Sequence, residues 1–374
     1  MRPVFVAGAL ANKPGSGGEA WVRLSWIRGL QQLGFDVWFV EQLNGAVAID
    51  SPQVDWFRAV TTRFGLGERA ALLDPGGSIV GPDLDDLLAV APEASLVNIS
   101  GHLRPSRLFD AFACRVMIDI DPGFTQFWHA EGLAGANIEG HDLFFTIGEL
   151  IGTPDCPVPV GEVDWRPVRQ PVVLADWPVQ AAPPAPSFTT IGTWRGPFGS
   201  IEHGGRTYGL KVHEFRKFIE LPRRSPHRFE LALDIHPGDE GDLSALREHR
   251  WEVTDPHRVA ADPDGFRAYV QGSGAEFSVA QGVYVDTGCG WFSDRTARYL
   301  ASGRPALVQD TGFSQTMPVG EGLVAFRTME EAVAGAADIM DRYEEHSRAA
   351  RRIAEEHLAA DVVLERFCAE AGID

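Results

Sequence analysis

The chain has 374 residues, 44% of them hydrophobic and 23% charged, which fits a folded globular protein and excludes a disordered or fibrous one. Fifty-two acidic against 33 basic residues leave a net charge of −19, which repels phosphate backbones and anionic bilayers and argues against nucleic acid and membrane insertion as partners. Four scattered cysteines without a CxxC pair, no apolar run of about 18 residues and no signal-peptide pattern point to a cytoplasmic protein, and this length predicts two domains.

The first run, PVFVAGAL, reads as a buried strand. The glycine-rich NKPGSGGEAW then leads into a helix in which Trp21, Leu24, Ile27 and Leu30 recur every three residues until Gly34 stops it. Gly15, Ser16, Gly17 and Gly18 would present backbone N–H groups at that helix start, an arrangement that holds anions. The spacing matches neither the dinucleotide nor the P-loop pattern, and a plain flexible turn explains the glycines equally well. DVWFVEQL completes a βαβ unit and with it a parallel sheet, to which ASLVNIS, CRVMIDI and HDLFFTIG add strands.

Residues 165–187 are rich in proline, which continues neither helices nor central strands, so the expected division is 1–175, 187–340 and a set of terminal helices at 341–374. The second half repeats the plan: a strand at FTTIG, a glycine-rich loop, a helix from Lys211 to Ile219, then strands at RFELALDI, WEV and EFSVAQG with a helix around PDGFRAYVQGS. In the passage from 282 to 310, GVYVDT reads as a strand, GCGWFSD as a turn, RTARYLASG as a helix ended by Gly303, and RPALVQD as the next strand. From Met329 onward the composition is helical. Two α/β domains facing across a cleft, with terminal helices returning to the first, are the expected architecture, and open α/β sheets bind ligands at the carboxyl ends of their strands.

Several residues carry candidate chemistry at those ends. Arg195, just past a strand, and Lys211, at a helix start, would together neutralise a diphosphate, or serve as ordinary surface cations. Ser293 and Asp294 would cap the helix that follows and Arg295 would add positive charge at its N-terminus. Gln309, Asp310 and Thr311 crowd the end of the next strand, where amide and carboxylate groups suit vicinal hydroxyls of a sugar.

GCGWFS followed by SGRPALVQD resembles the donor-binding signature of nucleotide-sugar glycosyltransferases of the GT-B fold. Cys289, Gly290, Trp291 and Ser293 match its His-Cys-Gly-Trp-Asn-Ser run, and Gly303 and Pro305 its Gly-x-Pro. Gly288 and Phe292 stand where that run has His and Asn, and Gln309 and Asp310 occur in reversed order. A second branch of the fold carries paired glutamates where this chain has Gly290 and Arg298.

The resemblance implies two Rossmann-like domains, the second binding a UDP- or dTDP-linked sugar as co-substrate at Gly290, Trp291, Ser293, Asp294, Arg295 and Gln309–Thr311. It implies an acceptor, a small molecule or a glycan, in the first domain. No metal and no further cofactor are expected. The strand and loop at 250–256 would lie near the nucleotide base, with Trp251 or the Val253 backbone as contacts. A base to deprotonate the acceptor hydroxyl belongs in the first domain, where His102 and Asp121 lie just past strand ends and Glu19 stands in the glycine loop. An epimerase acting on a nucleotide sugar and a non-catalytic sugar-binding protein are the alternatives.

Overall fold

The computed structural model describes residues 2–373. The first half is an eight-stranded sheet built from β1 (Pro3–Ala7), β2 (Asp36–Gln42), β3 (Ala70–Asp74), β4 (Gly77–Val80), β5 (Ser95–Ile99), β6 (Cys114–Asp119), β7 (Leu143–Thr146) and β8 (Trp165–Pro167). Its order is β4-β3-β2-β1-β5-β6-β7-β8, and every neighbouring pair is parallel except β3–β4. These strands are apolar runs because helices cover both faces of a parallel sheet.

The second half contains β9 (Phe188–Thr193), a two-stranded hairpin of β10 (Ile201–His203) and β11 (Arg206–Tyr208), then β12 (Phe229–Asp234), β13 (Glu252–Thr254), β14 (Ala275–Ser278), β15 (Ala306–Gln309) and β16 (Leu323–Phe326). The six strands outside the hairpin form a parallel sheet in the order β13-β12-β9-β14-β15-β16. In both sheets the chain works outward from a central strand, then returns to that strand's other side. The resulting switch points, between β1 and β5 and between β9 and β14, are where doubly wound sheets open a crevice for ligands.

The proline-rich stretch begins as β8, an edge strand, which is where a sheet tolerates proline. The helical tail breaks twice, giving helices Met329–Asp341, Tyr343–His357 and Ala360–Ala371. The first of these packs on the second sheet, with Gly335 against Leu307 and Val324, and in the second Ser347 bonds the Gly303 carbonyl. The last returns to the first domain, where Leu364 and Ala360 rest on Gly29 and Phe367 meets Trp26 edge to face.

One element differs from expectation. GVYVDT is a helix, Gly282–Thr287, ended by Gly288 at a φ of 57°. A short β-branched run has no period that separates a strand from a buried helical turn; here Thr287 caps its own turn by donating to the Val283 carbonyl.

Candidate functional site

The two domains meet along the cleft through backbone and side chains together. The N–H of Leu150 donates to Cys289 O at 3.0 Å, Gly148 and Trp291 pair as an isolated bridge, and the Tyr284 hydroxyl lies 3.5 Å from Asp121 Oδ1. On the far side, Gly17 N donates to Ala260 O at 2.9 Å and Trp21 Nε1 to Pro263 O at 2.8 Å. The β10–β11 hairpin reaches across as well: Tyr208 and His203 pack on Phe127 of helix Phe124–Ala130.

In the first domain the structure gathers Asp121, Glu19 and His102 around Arg23 and Lys13. Asp121 follows β6. Burial first, then the charges of Asp119 and Glu19, push its carboxyl up to about 7. Asp119 beneath it is itself buried and accepts from Thr125, Gln126, Thr146 and the Asp121 N–H, an array that fixes the strand end. His102 is held neutral: burial, then the cations Arg23, Lys13 and Arg104, bring its imidazole down to about 3. Burial opposes ionisation of Glu19 too, but its ion pair with Arg23 and the nearby Lys13 hold its carboxyl below the ordinary value.

The glycine loop behaves differently from the anion cradle it resembles. A Cβ on Gly17 would stand 2.1 Å from Asp262 O and one on Gly18 would stand 2.9 Å from the Phe266 ring. These two glycines exist to let the second domain touch the helix Gly17–Gln32, and the Gly17 N–H is already given to Ala260. Gly15 takes a φ of 71° in open space and Ser16 serves as the N-cap residue without a side-chain bond.

In the second domain, Lys211 and Arg295 come together under Gly192 at the end of β9. Arg295 is anchored on three sides, by Glu276 Oε1 at 2.7 Å, Ile191 O at 2.8 Å and Ser278 Oγ at 2.7 Å. Lys211 has no carboxylate within ion-pair distance among the described residues. Burial and the neighbouring Arg295 bring its ammonium down to about 7, with Glu276 pulling the other way. Arg195 does not join them: it is exposed and forms a bidentate pair with Asp239.

The turn at 288–294 and the segment after β15 hold each other. Gly290 N donates to Thr311 O at 2.8 Å and the Thr311 hydroxyl to Trp291 O. Ser293 caps the helix Asp294–Ala301 by accepting from Arg295 N, and Asp294 pairs with the buried Arg298. Trp291 stacks on Tyr284 within the second domain, ring centroids 4.5 Å apart, while its backbone bridges to Gly148 of the first. The Gln309 amide accepts from Ala280 N and donates to Glu214, while Asp310 accepts from Gly312 N, Ser314 and Arg327. Both side chains are thus engaged without a ligand, on the wall of a cavity of about 260 Å³ that Gly288, Gly312 and Gln315 also line. Trp251 is a core residue whose indole donates to Ile219 O.

Sequence reasoning missed Tyr284, Arg23 and Glu41. Glu41 is fully buried on β2 and accepts from the N–H groups of Leu10, Ala11 and Asn12, fixing the loop after β1. A glutamate inside the apolar run DVWFVEQL was the available signal, since buried carboxylates are rare unless partnered. Arg23 offered none, as a single arginine on a helix is ordinarily exposed.

Among the described residues no helix is long and apolar enough to cross a membrane, and no group of three or more His, Cys, Asp or Glu is placed to hold a metal ion. No family model matches the sequence, and no curated protein matches it either. Solved structures do. Sucrose-phosphate synthase from Thermosynechococcus elongatus is similar with a TM-score of 0.57 at 11% identity, over 99% of this chain and 98% of that one. HepE from Anabaena, solved with UDP and glucose, gives 0.57 at 10% identity over the whole of both chains. A putative UDP-N-acetylglucosamine 2-epimerase from Listeria monocytogenes gives 0.51 at 11% identity, over 100% of this chain and 97% of that one. At such identities the likeness is one of architecture, and it extends over the full chain: this protein has the GT-B fold, two Rossmann-like domains facing across a cleft.

Proposed function

We propose that the chain is a glycosyltransferase that moves a sugar from a nucleoside diphosphate, UDP or dTDP, to an acceptor hydroxyl. The observation that carries this reading is the placement of two unlike groups at strand ends of the two sheets: a lysine without an ion-pair partner among the described residues, Lys211 beside Arg295 under Gly192 of β9, and a carboxyl poised near neutrality, Asp121 after β6. Lys211 would take the diphosphate, since Arg295 is already bound to Glu276. As the sugar leaves, negative charge grows on the diphosphate, and Lys211, brought to its charged form by the bound diphosphate, stabilises it.

Asp121 would accept the acceptor's proton. A base is most effective when its pKa lies near the working pH, which favours Asp121 at about 7 over His102 at about 3. Glu19 is committed to Arg23. The sugar would lie toward the cavity beside Gly288 and Gly312, with Gln309 and Asp310 holding its wall. The domain boundary we propose falls between 175 and 187, with the first domain taking the acceptor. HepE, solved with UDP and glucose, supports UDP as the carrier, and the likeness to a putative epimerase keeps a second reading in view.

The test is thermal unfolding with UDP and dTDP, followed by product analysis. A ligand of the native state at about a hundredfold excess over its Kd stabilises by about 2.7 kcal/mol. Neither nucleotide raising the melting temperature would overturn the proposal. UDP released only in the presence of an acceptor marks transfer, whereas an isomerised UDP-sugar with no acceptor marks the epimerase.

A further inference from the structure

We propose that the acceptor itself carries a phosphate or carboxylate group, bound at the first domain's switch point by Lys13 and Arg104 above the buried Arg23. This rests on the glycosyltransferase reading for the word acceptor and on separate residues for the anion.

The loops after β1 and β5 leave the sheet side by side, since those strands are neighbours. Gln42, at the end of β2, ties them together: its carbonyl accepts from Asn12 Nδ2 at 3.0 Å and its Oε1 from Arg104 N at 3.0 Å. The two loops are therefore held side by side, and the charges of both Lys13 and Arg104 act on His102. The chain has only three lysines, Lys13, Lys211 and Lys217. Lys217 pairs with Glu214, whereas Lys13, like Lys211, has no carboxylate within ion-pair distance among the described residues. Arg104 bonds the neutral amide of Asn44 in place of an acid. In a chain with 19 more acids than bases, two cations at one site that form no ion pair among the described residues are placed against the general trend, and attraction to a negative ligand is the physical use of that placement.

Arg23 adds an independent sign. It is 2% exposed and lies against Gly8, and its Nε has no hydrogen-bond partner. A buried guanidinium with an unspent donor costs free energy that an anion would recover. His102 lies among the three cations and stays neutral there, so it contributes a hydrogen-bonding group without adding charge. The acids that face the site do not fill it: Glu19 is committed to Arg23, and Asp121 shares its proton near pH 7. The donor's diphosphate is served elsewhere, because the charges that act on Lys211 are those of Arg295 and Glu276 and none of this group.

Calorimetry on the full chain saturated with UDP tests the idea, with glucose 6-phosphate, glucuronate and glucose as probes. Both anions should bind at least about tenfold more tightly than glucose, and the difference should shrink between about 50 and about 300 mM salt as screening increases. Lys13→Ala and Arg104→Ala should each weaken the anions by about fivefold or more, with melting temperature recorded to show that the variants fold. Equal binding of glucose and the anions, binding of none of the three, or anion binding insensitive to both substitutions overturns the proposal. If UDP fails to bind while the free chain still takes the anions through Lys13 and Arg104, the glycosyltransferase reading falls and the anion site stands.

Discussion

The hydroxyl of Tyr284, on a helix of the second domain, lies 3.5 Å from Oδ1 of Asp121 at the end of β6 in the first, so the candidate base is touched by the domain that would hold the donor. Trp291 stacks on the same tyrosine and also bridges to Gly148, which ties the position of this contact to the closure of the cleft.

Asp121 should therefore set an acidic limb in the rate profile. Its carboxyl is ionised above about 7 and protonated below, so kcat/KM should fall as pH drops through about 7. Asp121→Asn should lower turnover by about a hundredfold or more. Tyr284→Phe removes a donor to the ionised form and should move the limb upward in pH. A profile flat from pH 5.5 to 8 excludes Asp121 as the base.

The same residue should cost stability. Its folded-state pKa is raised above the unfolded value, so its contribution becomes unfavourable as pH rises from the ordinary carboxylate range through about 7. Asp121→Asn should then melt at a higher temperature than wild type at pH 8, with the difference gone near pH 4. A lower melting temperature at pH 8 would contradict the charge assignment.

Lys211 should take up a proton when the nucleotide binds. At pH 8 an ammonium with a pKa of about 7 is mostly neutral, and a diphosphate beside it restores the charged form. Calorimetry in buffers of different ionisation enthalpy reads this directly, and Lys211→Met should abolish the uptake and weaken UDP by about tenfold or more. Uptake that persists in the variant assigns the proton to another group.

Gly17→Ala should loosen the domain contact. Its new Cβ meets the Asp262 carbonyl, which is backbone and cannot rotate away. Forced shifts of this kind cost about 1–3 kcal/mol, read as a lower melting temperature. Gly15→Ala meets nothing and carries only the strain of a positive φ, about 1–2 kcal/mol. Equal melting temperatures for Gly17→Ala and wild type would exclude the close approach.

Glu41→Gln should unsettle the loop over the acceptor side. The amide nitrogen cannot accept the N–H groups that the carboxylate now takes, and a buried donor left unpaired costs about 1–3 kcal/mol. Lower stability should come with a raised KM for the acceptor and little change in affinity for UDP. Unchanged hydrogen-exchange protection at Leu10 and Ala11 would count against this role.

Residue pattern alone carried the class of the fold. Apolar runs such as PVFVAGAL and CRVMIDI announced buried parallel strands because a strand covered on both faces leaves no room for polar alternation. Trp21, Leu24 and Ile27 announced the first helix because 3.6 residues per turn returns one face to the core. The candidate positions followed from the rule that such sheets bind ligands at their carboxyl ends, which placed Asp121, His102, Lys211 and Arg295 in view. Which of them are free and which are spent was settled only by the tertiary structure. Arg195 has Asp239, Gln309 has Glu214, Gly17 has Ala260, and each partner lies 44 or more residues away in the chain. Hydrogen bonds and charges act through space over a few ångströms. The state of a side chain therefore depends on neighbours that chain order does not name, and the poise of Asp121 and Lys211 near neutrality exists only once burial and those neighbours are in place.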